Sequence, residues 1–252
     1  MDMKEFVRVI QIPTADGQRL SEYGLFHCIF FALTIAAMVF AVIYTLKKGE
    51  KNLYFLYVLS SVLMWVGELY KQFCYSFITG TFHYEWYFFP WQFCSTPLYT
   101  FLFCAIAKKG KLYDAVSAYN ATYALFAGTC VMLYPSTLVS NYGISFQSLL
   151  HHALMMITGV SALVLYAKKF SVKLFCENFI LPPLTGQEVN MYFVSKTATK
   201  GNQFGIFRDA YPYPIFLIVY TLLFTEFAAL IAHVAYLVAK KKAAKRLAAS
   251  SH

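Results

Sequence analysis

Residues 24–51 read GLFHCIFFALTIAAMVFAVIYTLKKGEK: the run is apolar up to Leu46, and Lys47, Lys48 and Lys51 follow it. An α-helix needs about 20 apolar residues to cross the hydrocarbon core of a bilayer, so this run is long enough. Lysines cluster in the cytoplasmic loops of membrane proteins. The stretch therefore predicts a transmembrane helix that begins outside the cell and ends inside it.

The composition of the whole chain indicates an integral membrane protein. Of its 252 residues, 59% are hydrophobic and only 13% are charged, and the mean hydropathy is +0.54. A soluble domain needs more charge on its surface. A charged stretch precedes the first apolar run and no small-residue cleavage site follows it, so we expect no secretory signal peptide. The net charge of +9 lies in short clusters between apolar runs, which argues against a nucleic-acid surface.

The pattern of the first run is repeated along the chain. Lysines also follow the third and fifth apolar runs, whereas the turns after the second and fourth, 80–87 and 134–145, contain no Lys or Arg. This alternation predicts lysine-rich turns and a basic tail, residues 240–252, in the cytoplasm. The further runs are Leu53–Ile78, one that starts near Phe88 or Pro90 and ends at Ala107, Leu112–Leu133, Phe146–Ala167 and Ile215–Ala239.

A cytoplasmic tail requires one more crossing between the fifth and the last run. We place it near residues 174–195, as a broken helix inside the bundle, where irregular backbone can find hydrogen bonds. The predicted fold is an all-α, polytopic transmembrane helix bundle with seven spans, and the alternative is six spans plus a re-entrant or interfacial segment. Residues 1–23 form an amphipathic segment outside the cell, residues 24–239 the bundle, and the protein lies in the cell membrane with its N-terminus outside.

Cys94 lies in an unusual stretch at the start of the third run, FPWQFCSTP, residues 89–97. Pro90 suits the first turn of a helix, so Cys94 should lie about one turn inside, where the helix dipole favours a thiolate. Pro97 should bend that helix and free a backbone carbonyl one turn earlier. With Gln92 nearby, the stretch predicts a polar cluster within the membrane, which needs partners.

Two adjacent histidines supply candidate partners for the thiol. His151 and His152 lie about six residues inside the outer end of the fifth run, and at about 1.5 Å per residue both they and Cys94 lie roughly 10 Å below the outer surface. A thiol with a neighbouring imidazole is the minimum for a nucleophile and its general base. Adjacent side chains on a helix point about 100° apart, so one histidine should face Cys94. The alternative is that one histidine packs in the bundle and the other reaches the interface.

Charged residues inside the predicted spans are also candidates for function. Glu68 and Lys71 are three residues apart on the second span and can pair on one face of a helix. Glu226 lies in the last span. These three side chains predict a polar interior, and the alternative is an ion pair between Lys71 and either carboxylate that stabilises the bundle.

We expect neither a metal site nor a cofactor. The spacing of the six cysteines fits neither a zinc ribbon nor a CxxC redox motif, and two neighbouring histidines on one helix are poor joint ligands. A disulfide between two of the four cysteines near the outer ends of the spans stays open. Those four are Cys28, Cys74, Cys94 and Cys130.

An ordered set of short motifs resembles a known family. The set is a Glu in the second span (Glu68), FPxxxC ending at Cys94, a His early in the fifth span, Asn190-Met-Tyr192, and Pro212-x-Pro214 leading into a last span with Glu226. From about Leu53 onward the chain resembles the bacterial YwaF-like integral membrane proteins, which are related to eukaryotic transmembrane protein 164. The family usually has a histidine just before the motif's cysteine, where this chain has Trp91-Gln92-Phe93.

The resemblance implies a membrane-embedded lipid acyltransferase that works near the outer leaflet. Cys94 would be its nucleophile and His152 its base, with His151 as the fallback, and its partners would be phospholipids or lysophospholipids. The acyl donor, the acyl acceptor and the oligomeric state stay open. The alternative is a non-enzymatic transporter or sensor with a buried Glu/Lys site. Supporting polar residues in either case are Glu68, Lys71, Gln92, Asn190 and Glu226.

Overall fold

The computed structural model describes residues 1–84, 88–90 and 93–166, together with eight positions between 230 and 244. Within these ranges all the regular structure is helical and no strand is present, so the all-α class is confirmed for the described chain. The predicted crossing at 174–195 lies outside the described residues. So do three of the supporting polar residues, Gln92, Asn190 and Glu226.

Four of the helices in the described ranges are long and apolar enough to cross a membrane. They are α2 (Leu25–Lys48), α3 (Glu50–Ser76), α5 (Lys111–Leu133) and α6 (Tyr142–Tyr166), and their ends lie within a few residues of the predicted spans. Helix α4 (Thr96–Ala107) is apolar but shorter, and α1 (Met3–Gln11) precedes the first span.

Helix α6 lies at the centre of the described bundle and packs against α2, α3 and α5. The close approach of α5 and α6 depends on two glycines. A Cβ atom at Gly128 would lie 2.8 Å from the carbonyl oxygen of His152, and one at Gly159 would lie 2.8 Å from that of Asn120. Small residues at such contacts are typical of helices that pack within membranes.

Helix α4 begins at Thr96, so the prediction that the helix starts at Pro90 is wrong. Cys94 instead lies in a short 3₁₀ turn, Phe93–Ser95, just before α4. Pro97 occupies the first turn of α4, where a missing N–H costs nothing, so it starts the helix and does not bend it. Both prolines suit a first helical turn, and the structure uses the second.

The segment before α2 folds onto one end of the bundle. The hydroxyl of Tyr70, on α3, donates to the carbonyl oxygen of Ile10 at 3.0 Å, and the N–H of Tyr142 donates to that of Ile12 at 2.9 Å. Val7 on α1 is buried against α3 and α6. The N-terminal segment thus lies at the same end as the lysine-free turn at 134–145. Lys108, at the end of α4, instead lies over the ring of Tyr54, near the start of α3.

Candidate functional site

Donor side chains from neighbouring helices hold the backbone between α3 and α4. The amide of Gln72 donates to the carbonyl oxygen of Phe88 at 2.5 Å, and the hydroxyl of Tyr99 donates to that of Pro90 at 3.0 Å. The indole of Trp65 holds the first turn of α4 itself, because it donates to the carbonyl oxygen of Leu98 at 3.1 Å. Irregular backbone within a membrane must find such partners in the protein, because the hydrocarbon supplies none. These bonds fix the position from which Cys94 projects.

His151 joins α6 to the same segment. Its Nε2 lies 2.8 Å from the carbonyl oxygen of Cys94, and the side chain is only 6% exposed. A carbonyl oxygen only accepts hydrogen bonds, so Nε2 carries the proton in this contact. The structure therefore brings His151 to the backbone of Cys94, and this ring nitrogen is used as a donor that holds the turn in place.

His152 has the opposite proton arrangement. Its Nδ1 lies 2.7 Å from the carbonyl oxygen of Ser148, one turn earlier on α6, so Nδ1 carries the proton and Nε2 of the neutral ring has a free lone pair. The side chain is 4% exposed, and Nε2 has no hydrogen-bond partner within the part of the chain that the structure describes. The rings of His151 and His152 lie 5.4 Å apart, centroid to centroid. A buried nitrogen of this kind can accept a proton from a bound reactant.

Glu68 and Lys71 form the ion pair that their spacing predicts. Nζ of Lys71 lies 2.7 Å from Oε2 of Glu68, and the amide of Gln72 donates to Oε1 of the same carboxylate at 2.6 Å. Glu68 is 2% exposed, whereas the side chain of Lys71 is 21% exposed. Both oxygens of this buried carboxylate are therefore engaged, as a charge inside a membrane requires.

The ammonium group of Lys71 is near enough for its charge to act on the thiol of Cys94 and on both histidine rings, and the carboxylate of Glu68 acts on the thiol in the opposite direction. Tyr84, in the turn after α3, lies near the same group of residues: burial raises the pKa of its phenol, and the carboxylate of Glu68 raises it further. Tyr84 thus stays protonated at neutral pH. One cluster therefore contains the thiol, two imidazoles, the ion pair and a phenol.

The structure thus brings five of the predicted site residues into one cluster, namely Cys94, His151, His152, Glu68 and Lys71. Among residues that the sequence did not single out, Gln72 is shared by the carboxylate and the backbone, and the hydroxyl of Thr96 is buried without a partner in the described residues. Gln72 was recognisable, because it follows Lys71 and lies one turn from Glu68. No group of three His, Cys, Asp or Glu side chains in the described ranges could hold a metal ion.

Comparison of the chain with protein family models, with curated proteins and with solved structures gives no match. The resemblance to the YwaF-like family therefore stays a prediction from the sequence motifs.

Proposed function

We propose that this protein is a membrane-embedded lipid acyltransferase in which Cys94 is the nucleophile and His152 the general base. The observation that carries the proposal is the buried, unpartnered Nε2 of His152. The ring of His152 lies beside the ring of His151, and Nε2 of His151 bonds the backbone carbonyl oxygen of Cys94. Activation of a thiol requires a base with a free lone pair. The alternative base, His151, has its Nε2 engaged as a donor.

The proposed reaction has two halves. In the first, the sulfur of Cys94 attacks the carbonyl carbon of a lipid ester and its proton passes to His152. The carbon–sulfur bond forms, the bond from that carbon to the donor's ester oxygen breaks, and the departing oxygen takes the proton back. In the second, an acceptor hydroxyl gives its proton to His152 and attacks the thioester. The carbon–sulfur bond then breaks, and the sulfur recovers the proton.

The start of α4 supports the charge that develops in both halves. The first N–H groups of a helix have no partner within it, and α4 begins two residues after Cys94, although Pro97 in its first turn has no N–H. These groups and the buried hydroxyl of Thr96 can donate to the oxyanion of the tetrahedral intermediate. The ammonium of Lys71 adds a positive charge near the sulfur, and the carboxylate of Glu68 opposes its effect. The cluster therefore offers a nucleophile, a base and electrostatic stabilisation.

The transporter or sensor alternative has less support. A site that exchanges protons or ions needs a carboxylate that can release its partners. Both oxygens of Glu68 are engaged, one by Lys71 and the other by Gln72. This pair is better explained as a fixed charge arrangement that positions the cluster.

The test uses purified protein in lipid nanodiscs, with a phospholipid that carries a labelled acyl chain and with an unlabelled lysophospholipid. Cys94→Ala should abolish both the labelled thioester on the protein and acyl transfer. Cys130→Ala, the matched control at an exposed free cysteine, should keep both. Full transfer by folded Cys94→Ala protein would refute the proposed function.

The second arm of the test separates the two histidines and uses His27 as a control. His27 is a buried histidine on α2 whose Nε2 bonds the carbonyl oxygen of Met132. Loss of a general base lowers a rate by roughly 10²- to 10⁴-fold, so His152→Ala should lower transfer by that factor. His27→Ala should not. Equal effects of the two substitutions would mean that His152 acts only through folding.

A further inference from the structure

A groove of about 380 Å³ runs between α3 and α6, with α1 at one end. Tyr70 and Gly143 lie at the end that α1 covers, and Leu63 and Leu154 at the end nearer the middle of the bundle. Such a volume lies within the range of small-ligand sites. One wall of the groove carries His151, the residue that bonds the backbone of Cys94. The groove therefore leads from the surface of the bundle to the candidate site.

The lining of the groove is apolar and carries no formal charge among the residues described. Its mouth includes Val66, which is 61% exposed, and Phe146, on the outer faces of two candidate membrane-spanning helices. A groove with such a mouth would open to the hydrocarbon of the bilayer. Its occupant must then come from the lipid, and a neutral lining suits the acyl part of a lipid and not its headgroup or an ion.

Three polar side chains interrupt this lining: Tyr70 and His151, which bond backbone carbonyl oxygens, and Gln147. Gln147 is 7% exposed, lies one turn before His151 on α6, and lines the groove with its side chain. In a mostly apolar site, a few polar groups fix the orientation of the ligand, and an amide N–H can donate to a carbonyl oxygen. Gly67 keeps the facing wall low: a Cβ atom there would lie 3.1 Å from Cγ of Gln147 and 3.5 Å from its Nε2.

We infer that this groove is the acyl-ester site, in which the amide of Gln147 donates to the ester carbonyl and the chain runs toward Leu63 and Leu154. The distance from Gln147 to Leu154 along α6 is about 10 Å, at about 1.5 Å per residue. The inference deepens the proposed function and rests on it in one respect, namely that Cys94 attacks the carbonyl held at Gln147. Binding of the lipid in the groove is itself independent of that attack.

The experiment uses a phospholipid with a photoactivatable diazirine in its acyl chain, incorporated into nanodiscs with the purified protein. After irradiation, mass spectrometry of peptides locates the adducts. Wild-type protein should give adducts concentrated on the α3 and α6 residues of the groove. Val66→Trp, which fills the mouth from an exposed position, should lower them at least fivefold. Leu69→Trp is the matched control, because Leu69 is 64% exposed on the same helix and does not line the groove.

A second comparison tests the role of the amide. An ether-linked lipid lacks the carbonyl, so wild-type protein should give several-fold more adduct with the ester than with the ether. Gln147→Leu should remove that preference. Adducts spread evenly over lipid-facing helices and unchanged by Val66→Trp would overturn the groove, and an ester preference that survives in Gln147→Leu would overturn the role of the amide.

Failure of the groove and failure of the proposed function give different results. If groove adducts form as expected but Cys94→Ala keeps full acyl transfer, the groove stands and the catalytic role of Cys94 is wrong. If acyl transfer requires Cys94 but the adducts lie elsewhere, the catalytic role of Cys94 stands and the assignment of the groove is wrong. Cys94→Ala protein should itself keep the groove adducts, because binding precedes the reaction.

Discussion

The turn that contains Cys94 is held by side chains and not by a helix of its own. Its carbonyl oxygen accepts a hydrogen bond from His151, and the carbonyl oxygens of Phe88 and Pro90 accept from Gln72 and Tyr99. Such bonds position the cysteine more tightly than a free loop would, because the donors come from packed helices. His151 therefore positions this turn, through its hydrogen bond to the carbonyl oxygen of Cys94.

Replacing His151 should loosen the turn in a way that a conservative variant rescues. His151→Phe leaves the buried carbonyl of Cys94 without a donor, which costs about 1–3 kcal/mol. His151→Gln retains an N–H donor and should recover part of that loss. The measurement is the melting temperature in detergent together with the rate at which a small maleimide labels Cys94. Labelling by Phe and Gln variants at the same rate would show that the hydrogen bond does not hold the turn.

Lys71 neutralises a carboxylate that has almost no access to solvent. Breaking a buried ion pair by removing one partner costs about 3 kcal/mol or more, since the remaining charge stays buried. Lys71→Met should therefore lower the melting temperature, and Lys71→Glu should lower it further by placing a second negative charge beside Glu68. The double variant Glu68→Gln with Lys71→Met should recover much of the loss. Equal melting temperatures for the two single variants would mean that Lys71 reaches water and needs no acidic partner.

Helices α5 and α6 contact each other at two glycines, where larger side chains would keep the helices apart. Gly128 and Gly159 each lie under 3 Å from a backbone carbonyl of the facing helix, measured from an added Cβ. The same region contains the π-helical segment Asn120–Ala124 of α5, where Oδ1 of Asn120 accepts from the hydroxyl of Thr100 at 2.7 Å. The contact thus positions α6, and with it both histidines.

Enlarging either glycine should separate the two helices. Gly159→Ala forces a methyl group against the carbonyl of Asn120, and overpacking of this kind costs about 1–3 kcal/mol. The variant should melt at a lower temperature, and acyl transfer should fall with it because His152 moves. Ala36→Val on α2 is the control, since Ala36 is exposed on the outside of the bundle. A Gly159→Ala protein as stable as wild type would show that the helices can shift without cost.

Some of these element-level features follow from sequence spacing and others do not. The pairing of Glu68 with Lys71 follows from a separation of three residues on a long apolar run. The start of α4 does not, because Pro90 and Pro97 both satisfy the rule for a first helical turn. Tertiary contacts decide between them: Gln72 and Tyr99 bind the carbonyls of the earlier stretch and leave it irregular. The position of Gln147 in the groove is likewise not predictable from spacing, because it depends on how α3 and α6 pack.

At the scale of the whole molecule, the described residues separate the two ends of the bundle by charge. The N-terminal segment packs against the lysine-free turn at 134–145, where Nε of Arg19 donates to the carbonyl oxygen of Leu138 at 2.7 Å. Lys47 and Lys48, in the last turn of α2, and Lys108, which caps α4, lie at the other helix ends. Helix α1 and the 134–145 turn lie at the same end of the bundle, and the lysine pattern predicts that both face outward.

The orientation itself is the last prediction, and it needs an experiment in cells. The lysine alternation puts Gly80 outside and Lys109 inside, and the basic tail with His252 should also lie inside. Reporters that are active on only one side of the membrane are fused after each of these three residues. The seven-span prediction requires an outer signal at Gly80 and inner signals at the other two. An even number of crossings would return the tail to the side of the N-terminus. Outer signals at both Gly80 and His252 would therefore establish six spans. Residues 174–195 would then lie on one side of the membrane or partway into it.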